Sequence, residues 1–195
     1  MDLDQCYHIH SNNMEDIDII NFNCNGVHSS FSDILEILSD KDNCIMFLSE
    51  HWLQAHDLTA VSSMLKSEQL WSSLKSSVNH EELLAGRPYG GVGFICKRRS
   101  PDLFSFRPVD IANDRISVLQ LVKSDQVLLN LIGVYLPYFN GRSDQSELYT
   151  KTLDAVQCVI DDLPAAPIVM LGDMNAALPQ CKNLSRFWHR SRPFN

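Results

Sequence analysis

Short, continuous apolar runs of strand length, each closed by polar or turn residues, set the strongest limit on how this chain can fold. "CIMFLS" (44–49), "VGFICK" (92–97) and "IVML" (168–171) are too short for helices, and "DIDIINFN" (16–23) is rich in isoleucine and stops at the turn "NCNG". These read as strands, with 168–171 expected to be buried on both faces. "ISVLQLV" and "VLLNLIGVYL", joined by "KSDQ", form a hairpin pattern, and the serine-rich stretch around Trp71 reads as an edge strand. Between the strands lie three segments of helical spacing. The first carries Phe31, Ile34, Leu35 and Leu38 behind a capping serine, Ser29 or Ser30, and the second carries Leu58, Val61, Met64 and Leu65. The longest, 144–163, opens on Asp144 and Glu147 spaced as a capping box and turns Leu148, Ala155, Val156, Val159 and Leu163 to one side. The fold class is therefore α/β or α+β, without internal repeat or low-complexity segment.

Composition narrows the function classes. A chain of 195 residues, 45% hydrophobic and 21% charged, suits one ordinary globular domain. The first residues carry acids and no cationic stretch ahead of an apolar block, and the longest apolar run is broken at Asn130 and too short to span a bilayer. The expectation is an intracellular protein, nuclear or cytoplasmic, neither secreted nor in a membrane. Six cysteines without C-x-x-C spacing fit free, buried thiols. A net charge of −8 argues against a broad basic surface for nucleic acid, so any such contact must be local. After Asn175 there are no acids, and Lys182, Arg186, Arg190 and Arg192 make a basic end whose plainest reading is a solvated tail.

Three predicted strands end in oxygen-bearing side chains: Asn23 and Asn25 in "NFNCNGV", Glu50 in "FLSEHWL", and Asp173 and Asn175 in "VMLGDMNA". Any one of these is explained by an Asx-turn or polar cap. If the chain stays extended past Gly172, Asp173 and Asn175 face the same spot. The recurrence points to a hard cation such as Mg²⁺, which takes few protein oxygens and keeps sites for water and phosphate. Phosphoryl chemistry follows, with the metal polarising the phosphoryl oxygen and a carboxylate positioning the attacking water. Gly90, Gly91 and Gly93 precede a strand, so close backbone packing explains them better than a phosphate loop. Cys6, His8 and His10 alternate near the terminus, where such patterns are commonly incidental.

The blocks "NFNCNGV", "FLSEHWL", "GRPYGGVGF", "NDRISV", "GVYLPY" and "VMLGDMNA", in that order, resemble the endonuclease/exonuclease/phosphatase superfamily. The nearest branch is the endonuclease domain of non-long-terminal-repeat retrotransposons, similar in turn to abasic-site endonucleases and pancreatic-type DNases. The resemblance implies a four-layered α/β sandwich of the DNase-like type, two packed sheets flanked by helices, with the site at the strand ends. It implies Glu50 as principal Mg²⁺ ligand, with Mn²⁺ as a substitute, and Asn23 and Asn25 beside it. Tyr135 would hydrogen-bond the scissile phosphate or leaving group, although by itself it reads equally well as a core aromatic. Asp173 would orient or deprotonate the water, and Asn175 would hold the phosphate or the catalytic carboxylate. Arg115 matches a recurring arginine or simply pairs with Asp110 or Asp114.

Residues 1–15 are expected to form a tail, 16–178 the domain and 179–195 its basic end. The family's pattern continues through further strands, another aspartate and a Ser-Asp-His block that this sequence lacks. The expectation is a C-terminally incomplete copy, its last strands missing, with exposed apolar faces, poor solubility or a need for a partner, and severely weakened hydrolysis. The leading function is a Mg²⁺-dependent DNA endonuclease domain of retrotransposon origin. The alternatives are a phosphatase or phosphodiesterase acting on lipid, inositol phosphate or RNA, and a non-catalytic remnant.

Overall fold

The structure, a computed structural model, describes residues 5–11, 14–77, 90–137 and 143–175. Side chains of the first strand, the basic end after Asn175 and residues 86–89 of "GRPYGGVGF" lie outside the described residues. In chain order the elements are β1 (Gln5–Ser11), β2 (Met14–Asn23), α1 (Val27–Ser39), β3 (Cys44–Ser49), α2 (Leu58–Ser67), β4 (Trp71–Lys75), β5 (Val92–Lys97), β6 (Ser105–Val109), β7 (Ile116–Lys123), β8 (Gln126–Tyr135), α3 (Ser143–Asp162) and β9 (Ile168–Asp173). They form a five-stranded sheet ordered β1-β2-β3-β5-β4 and a four-stranded sheet ordered β6-β7-β8-β9.

Alternation along the central strands builds four layers. From β3, Ile45 and Phe47 point between the sheets and meet Phe94, Leu119, Leu131 and Leu171. Cys44, Met46 and Leu48 point outward and are covered by Ile34 and Leu38 of α1 and Val61 and Leu65 of α2. On the far side of the second sheet, Val118, Ile132 and Val134 are covered by Tyr149, Leu153, Val156 and Val159 of α3. Every residue of β3 is buried, which is why its sequence is apolar without alternation.

Two parallel pairings place the site. β2 runs parallel to β3, so that Asn23 lies opposite Ser49, and β8 runs parallel to β9, so that Tyr135 lies opposite Asp173. Four carboxyl ends thus meet at one end of the sandwich, two from each sheet. The β7–β8 hairpin turns through Ser124 and Asp125, both at positive φ (49° and 64°), as a two-residue turn matching the strand twist requires.

Several expectations are corrected. Gln5–Ser11, read as tail, forms β1 and pairs antiparallel with β2, and the edge strand β6 had no reading at all. Helix α1 begins at Val27 with Gly26 at its N-cap, earlier than the serines suggested. Ser29 Oγ and Ser30 Oγ donate back to the carbonyls of Gly26 and Cys24 instead of accepting from the helix. Asp144 falls inside α3 and Glu147 pairs with Lys151 at 2.7 Å, while the Asp144 side chain of the expected capping box lies outside the described residues. Leu148 and Met64, assigned to buried helix faces, are 44% and 49% exposed; Tyr149, one position on from Leu148, is the side chain turned inward. β9 is not buried on both faces, since Ile168 is 40% exposed, because among the described residues the strand sits at the edge of its sheet.

Candidate active site

The loop after β2 is stitched to the end of β3 by backbone bonds from Cys24 N to Ser49 O (3.0 Å), Gly26 N to Glu50 O (2.8 Å) and Val27 N to His51 O (3.0 Å). This ladder carries Glu50 out of the strand at φ 56° and Trp52 at φ 57°, a conformation uncommon for such bulky residues and held there by the surrounding bonds. Glu50 Oε1 accepts from Asn23 Nδ2 at 3.0 Å and from the Tyr135 hydroxyl, also at 3.0 Å. Asn23 Nδ2 reaches across the sandwich to Asp173 Oδ2 at 3.5 Å. Two carboxylates, one from each sheet, are thereby bridged by an amide and topped by a phenol.

Asp173 uses both oxygens. Oδ1 accepts the backbone N–H of Asn175 at 2.9 Å, an Asx-turn, while Oδ2 faces Asn23. The Asx-turn reading of "GDMN" is realised on Oδ1, and Oδ2 of the same side chain faces the Asn23 amide. The chain does not stay extended, because Asn175 turns to φ 46° and its Nδ2 donates to Leu136 O at 2.8 Å. Asn175 therefore reaches the carboxylate through its backbone. Asn25 is exposed at φ 45°; its backbone N–H occupies Asn23 Oδ1 at 3.2 Å. Arg115 lies with its guanidinium 5.7 Å from the Tyr135 ring centroid, and the charges of Asp110 and Asp114 bear on Lys75.

Burial, reinforced by the Glu50 carboxylate, pushes the Tyr135 phenol up to about 12, so it is a proton donor and not a base at neutral pH. Burial also raises the Cys24 thiol to about 12, and that thiol donates to the carbonyls of Ser49 and Glu50, which leaves no nucleophile there. Cys24, Cys44, Cys96 and Cys158 are free, the first three buried.

Four residues beside the site carried no sequence signal of their own. Asn21, 8% exposed, donates to Gly172 O at 3.4 Å, and the Tyr149 hydroxyl donates to Met174 O at 3.2 Å, so both hold the β9 end from neighbouring layers. Lys75 Nζ reaches the carbonyls of Ile111 and Asn113 in the β6–β7 connection and of Ile116 at the start of β7. His51 is fully buried, its ring against Gly91, with Nδ1 accepting from Leu53 N (3.1 Å) and Nε2 meeting Lys75 O (3.0 Å).

Those partners assign a neutral His51 imidazole with its proton on Nε2, and burial lowers its pKa from 6.5 to about 4. The folded pKa lies below the unfolded one, so this stabilisation is complete above pH 6.5 and lost as pH falls through 4. At about 1.4 kcal/mol per pH unit it amounts to about 3 kcal/mol. Urea unfolding should therefore show a loss of that order between pH 7 and pH 4, reduced by about half or more in His51→Gln. An equal acid loss in both proteins would remove His51 as its source.

The donor set fits a small hard cation. Glu50 and Asp173 offer carboxylate oxygens; among the described residues the hydrogen bonds to Glu50 fall on Oε1, leaving Oε2 for a ligand. The Asn23 amide as placed turns its NH₂ to the carboxylates, so its oxygen joins a cation only on rotating away from Asn25 N. Among the described residues no group of three or more His, Cys, Asp or Glu gathers as a metal cage.

No protein-family model matches the sequence, and no curated protein matches it. Solved structures do match the fold. The human Nocturnin catalytic domain, with a bound sulfate, superposes at TM-score 0.62 with 14% identity, over 96% of this chain and 73% of that one. An AP endonuclease from Archaeoglobus fulgidus gives 0.58 with 18% identity, over 82% and 57%. The 3′ phosphatase NExo from Neisseria, bound to product DNA hairpin, gives 0.54 with 17% identity, over 82% and 58%. This chain thus shares the two-sheet DNase-like sandwich and spans less than two thirds of the length of the latter two proteins. No helix among the described residues is long and apolar enough to cross a membrane.

Proposed function

We propose that this chain belongs to the endonuclease/exonuclease/phosphatase superfamily, nearest its retrotransposon endonuclease branch, and hydrolyses phosphodiester bonds of DNA with the help of Mg²⁺ or Mn²⁺. The observation that carries the reading is the bridge Glu50–Asn23–Asp173, which joins carboxylates from two different sheets beneath the Tyr135 phenol. Six sequence blocks in superfamily order and a fold shared with a DNA-bound phosphatase and an AP endonuclease support it.

A bound divalent cation supplies Lewis acidity toward the phosphoryl oxygen and offsets charge on the leaving group. Glu50, whose Oε2 takes no hydrogen bond among the described residues, would hold such a cation. Asp173, fixed by the Asn175 N–H, orients the attacking water and takes its proton on Oδ2. Tyr135, protonated at neutral pH, donates to a phosphate oxygen. Arg115 adds a fixed positive charge beside the ring. Among the described residues no histidine hydrogen-bonds this cluster, since His51 is committed to Lys75 O and Leu53 N.

The net charge of −8 keeps a second reading in play, hydrolysis of a small phosphate ester such as an inositol phosphate, which needs no wide basic surface. Nicking of supercoiled DNA in Mg²⁺, with a soluble phosphomonoester and single-stranded RNA as competitors, decides between them. Metal-dependent nicking that the competitors leave intact is expected. Phosphate release without nicking favours the second reading, and cation binding without turnover on any substrate marks a non-catalytic remnant.

A further inference from the structure

Lys75 ends β4, the edge strand of the five-stranded sheet, and touches both halves of the site from outside it. Its carbonyl meets Nε2 of His51 at 3.0 Å, and His51 directly follows Glu50. Its ammonium crosses to the other sheet and donates to the carbonyls of Ile111, Asn113 (3.1 Å) and Ile116 (3.3 Å). Three donors meet three acceptors, the full capacity of a lysine head. That connection in turn fixes Tyr135: Asn113 Oδ1 accepts Arg115 N at 2.9 Å, Arg115 O accepts Tyr135 N at 2.9 Å, and the Arg115 guanidinium lies over the Tyr135 ring.

We propose that Lys75 is a positioning residue that sets Glu50, on one sheet, against Tyr135, on the other. Its backbone locates the segment leaving Glu50, while its side chain locates the Arg115–Tyr135 pair, so one residue spans the gap across which the Tyr135–Glu50 hydrogen bond forms. The functional meaning of this placement rests on the proposed role of Glu50 and Tyr135 in phosphodiester hydrolysis. An apolar side chain of similar length removes the lysine donor from the carbonyls of Ile111 and Ile116 and leaves Asn113 O only the backbone N–H of Ile116. The connection then loosens and Tyr135 loses its alignment, while the Glu50 carboxylate stays in place.

The test compares Lys75→Met with Lys75→Arg in the full chain. One readout is the Nε–Hε resonance of Arg115, identified by its loss in Arg115→Lys and shifted by the Tyr135 ring current. In Lys75→Met this resonance should move to the position it takes in Tyr135→Leu, and in Lys75→Arg it should stay near wild type. Mg²⁺-dependent nicking by Lys75→Met should show kcat lowered about tenfold with KM within about twofold, largely restored in Lys75→Arg, because misplacing one reacting group slows chemistry more than binding. Should Lys75→Met not fold, Lys75→Gln is read by the same criteria. An unchanged Arg115 resonance in a folded Lys75→Met or Lys75→Gln protein overturns the proposal. If the wild-type chain cleaves nothing, the proposed function fails while the resonance still decides the positioning.

Discussion

Glu50→Gln is expected to slow Mg²⁺-dependent cleavage by about 1,000-fold or more while leaving the melting temperature unchanged or slightly raised. The substitution keeps an acceptor of the same shape for Asn23 Nδ2 and the Tyr135 hydroxyl, so the local hydrogen bonds survive. What disappears is the negative charge that holds a divalent cation beside Asp173. In the cation-free protein that charge has a like-signed neighbour, bridged to it through Asn23, so its removal relieves repulsion. Single-turnover cleavage at saturating Mg²⁺, paired with a thermal melt, checks both parts. A folded Glu50→Gln protein cleaving within about tenfold of wild type would mean that the reactive site lies elsewhere.

The second large effect concerns the layer between the sheets. Phe47 of β3 is fully buried and stacks against Phe94 with ring centroids 5.3 Å apart. It fits because Gly133 of β8 faces it, and a Cβ at Gly133 would stand 2.1 Å from the Phe47 ring. Phe47→Ala should cost about 3–5 kcal/mol through lost burial and a cavity. Gly133→Ala should cost about 1–3 kcal/mol through overpacking, and unlike a surface change it pushes the two sheets apart. Combined, the substitutions should cost less than their sum by about 1 kcal/mol or more, since the new methyl enters the space the ring vacated. Denaturant unfolding of the four proteins measures this, and strict additivity would show that the sheets do not meet at that pair.

Much of this architecture is legible in the residues. The short apolar run of β3 reads as a strand and forms one, and the two runs joined by "KSDQ" read as a hairpin and form one, its turn at Ser124 and Asp125. Where reading failed, the cause lies in long-range context. The run 168–171 has the composition of a central strand but stands at a sheet edge, which only the strand order reveals. Leu148 and Met64 satisfy helical spacing yet border the covered stripe, so a shift of one position on α3 gave the interior to Tyr149. Ser29 and Ser30 look like caps, but glycine at 26 let the helix start ahead of them.

The site shows the same division. Glu50, Asn23, Tyr135 and Asp173 stand at strand ends and come together once the parallel pairings are formed. Their exact hydrogen-bonding atoms were beyond the sequence: Asn175 acts on Asp173 through its backbone, and Asn23 presents its NH₂ to the carboxylates. Asn21, Lys75 and Tyr149 position the cluster from positions whose residue types are ordinary in strands and helices. Nothing local separates such residues from core or surface counterparts, because their roles exist only between layers.

The central claim, that Glu50 and Asp173 form a divalent-cation site, is tested most directly by titrating Mn²⁺ into the full chain and following the paramagnetic signal of the free ion. Saturable binding is predicted, abolished in Glu50→Gln, weakened in Asp173→Asn and unchanged in Cys158→Ser, a substitution at an exposed position of α3. Equal Mn²⁺ binding by wild type and a folded Glu50→Gln protein would contradict the account.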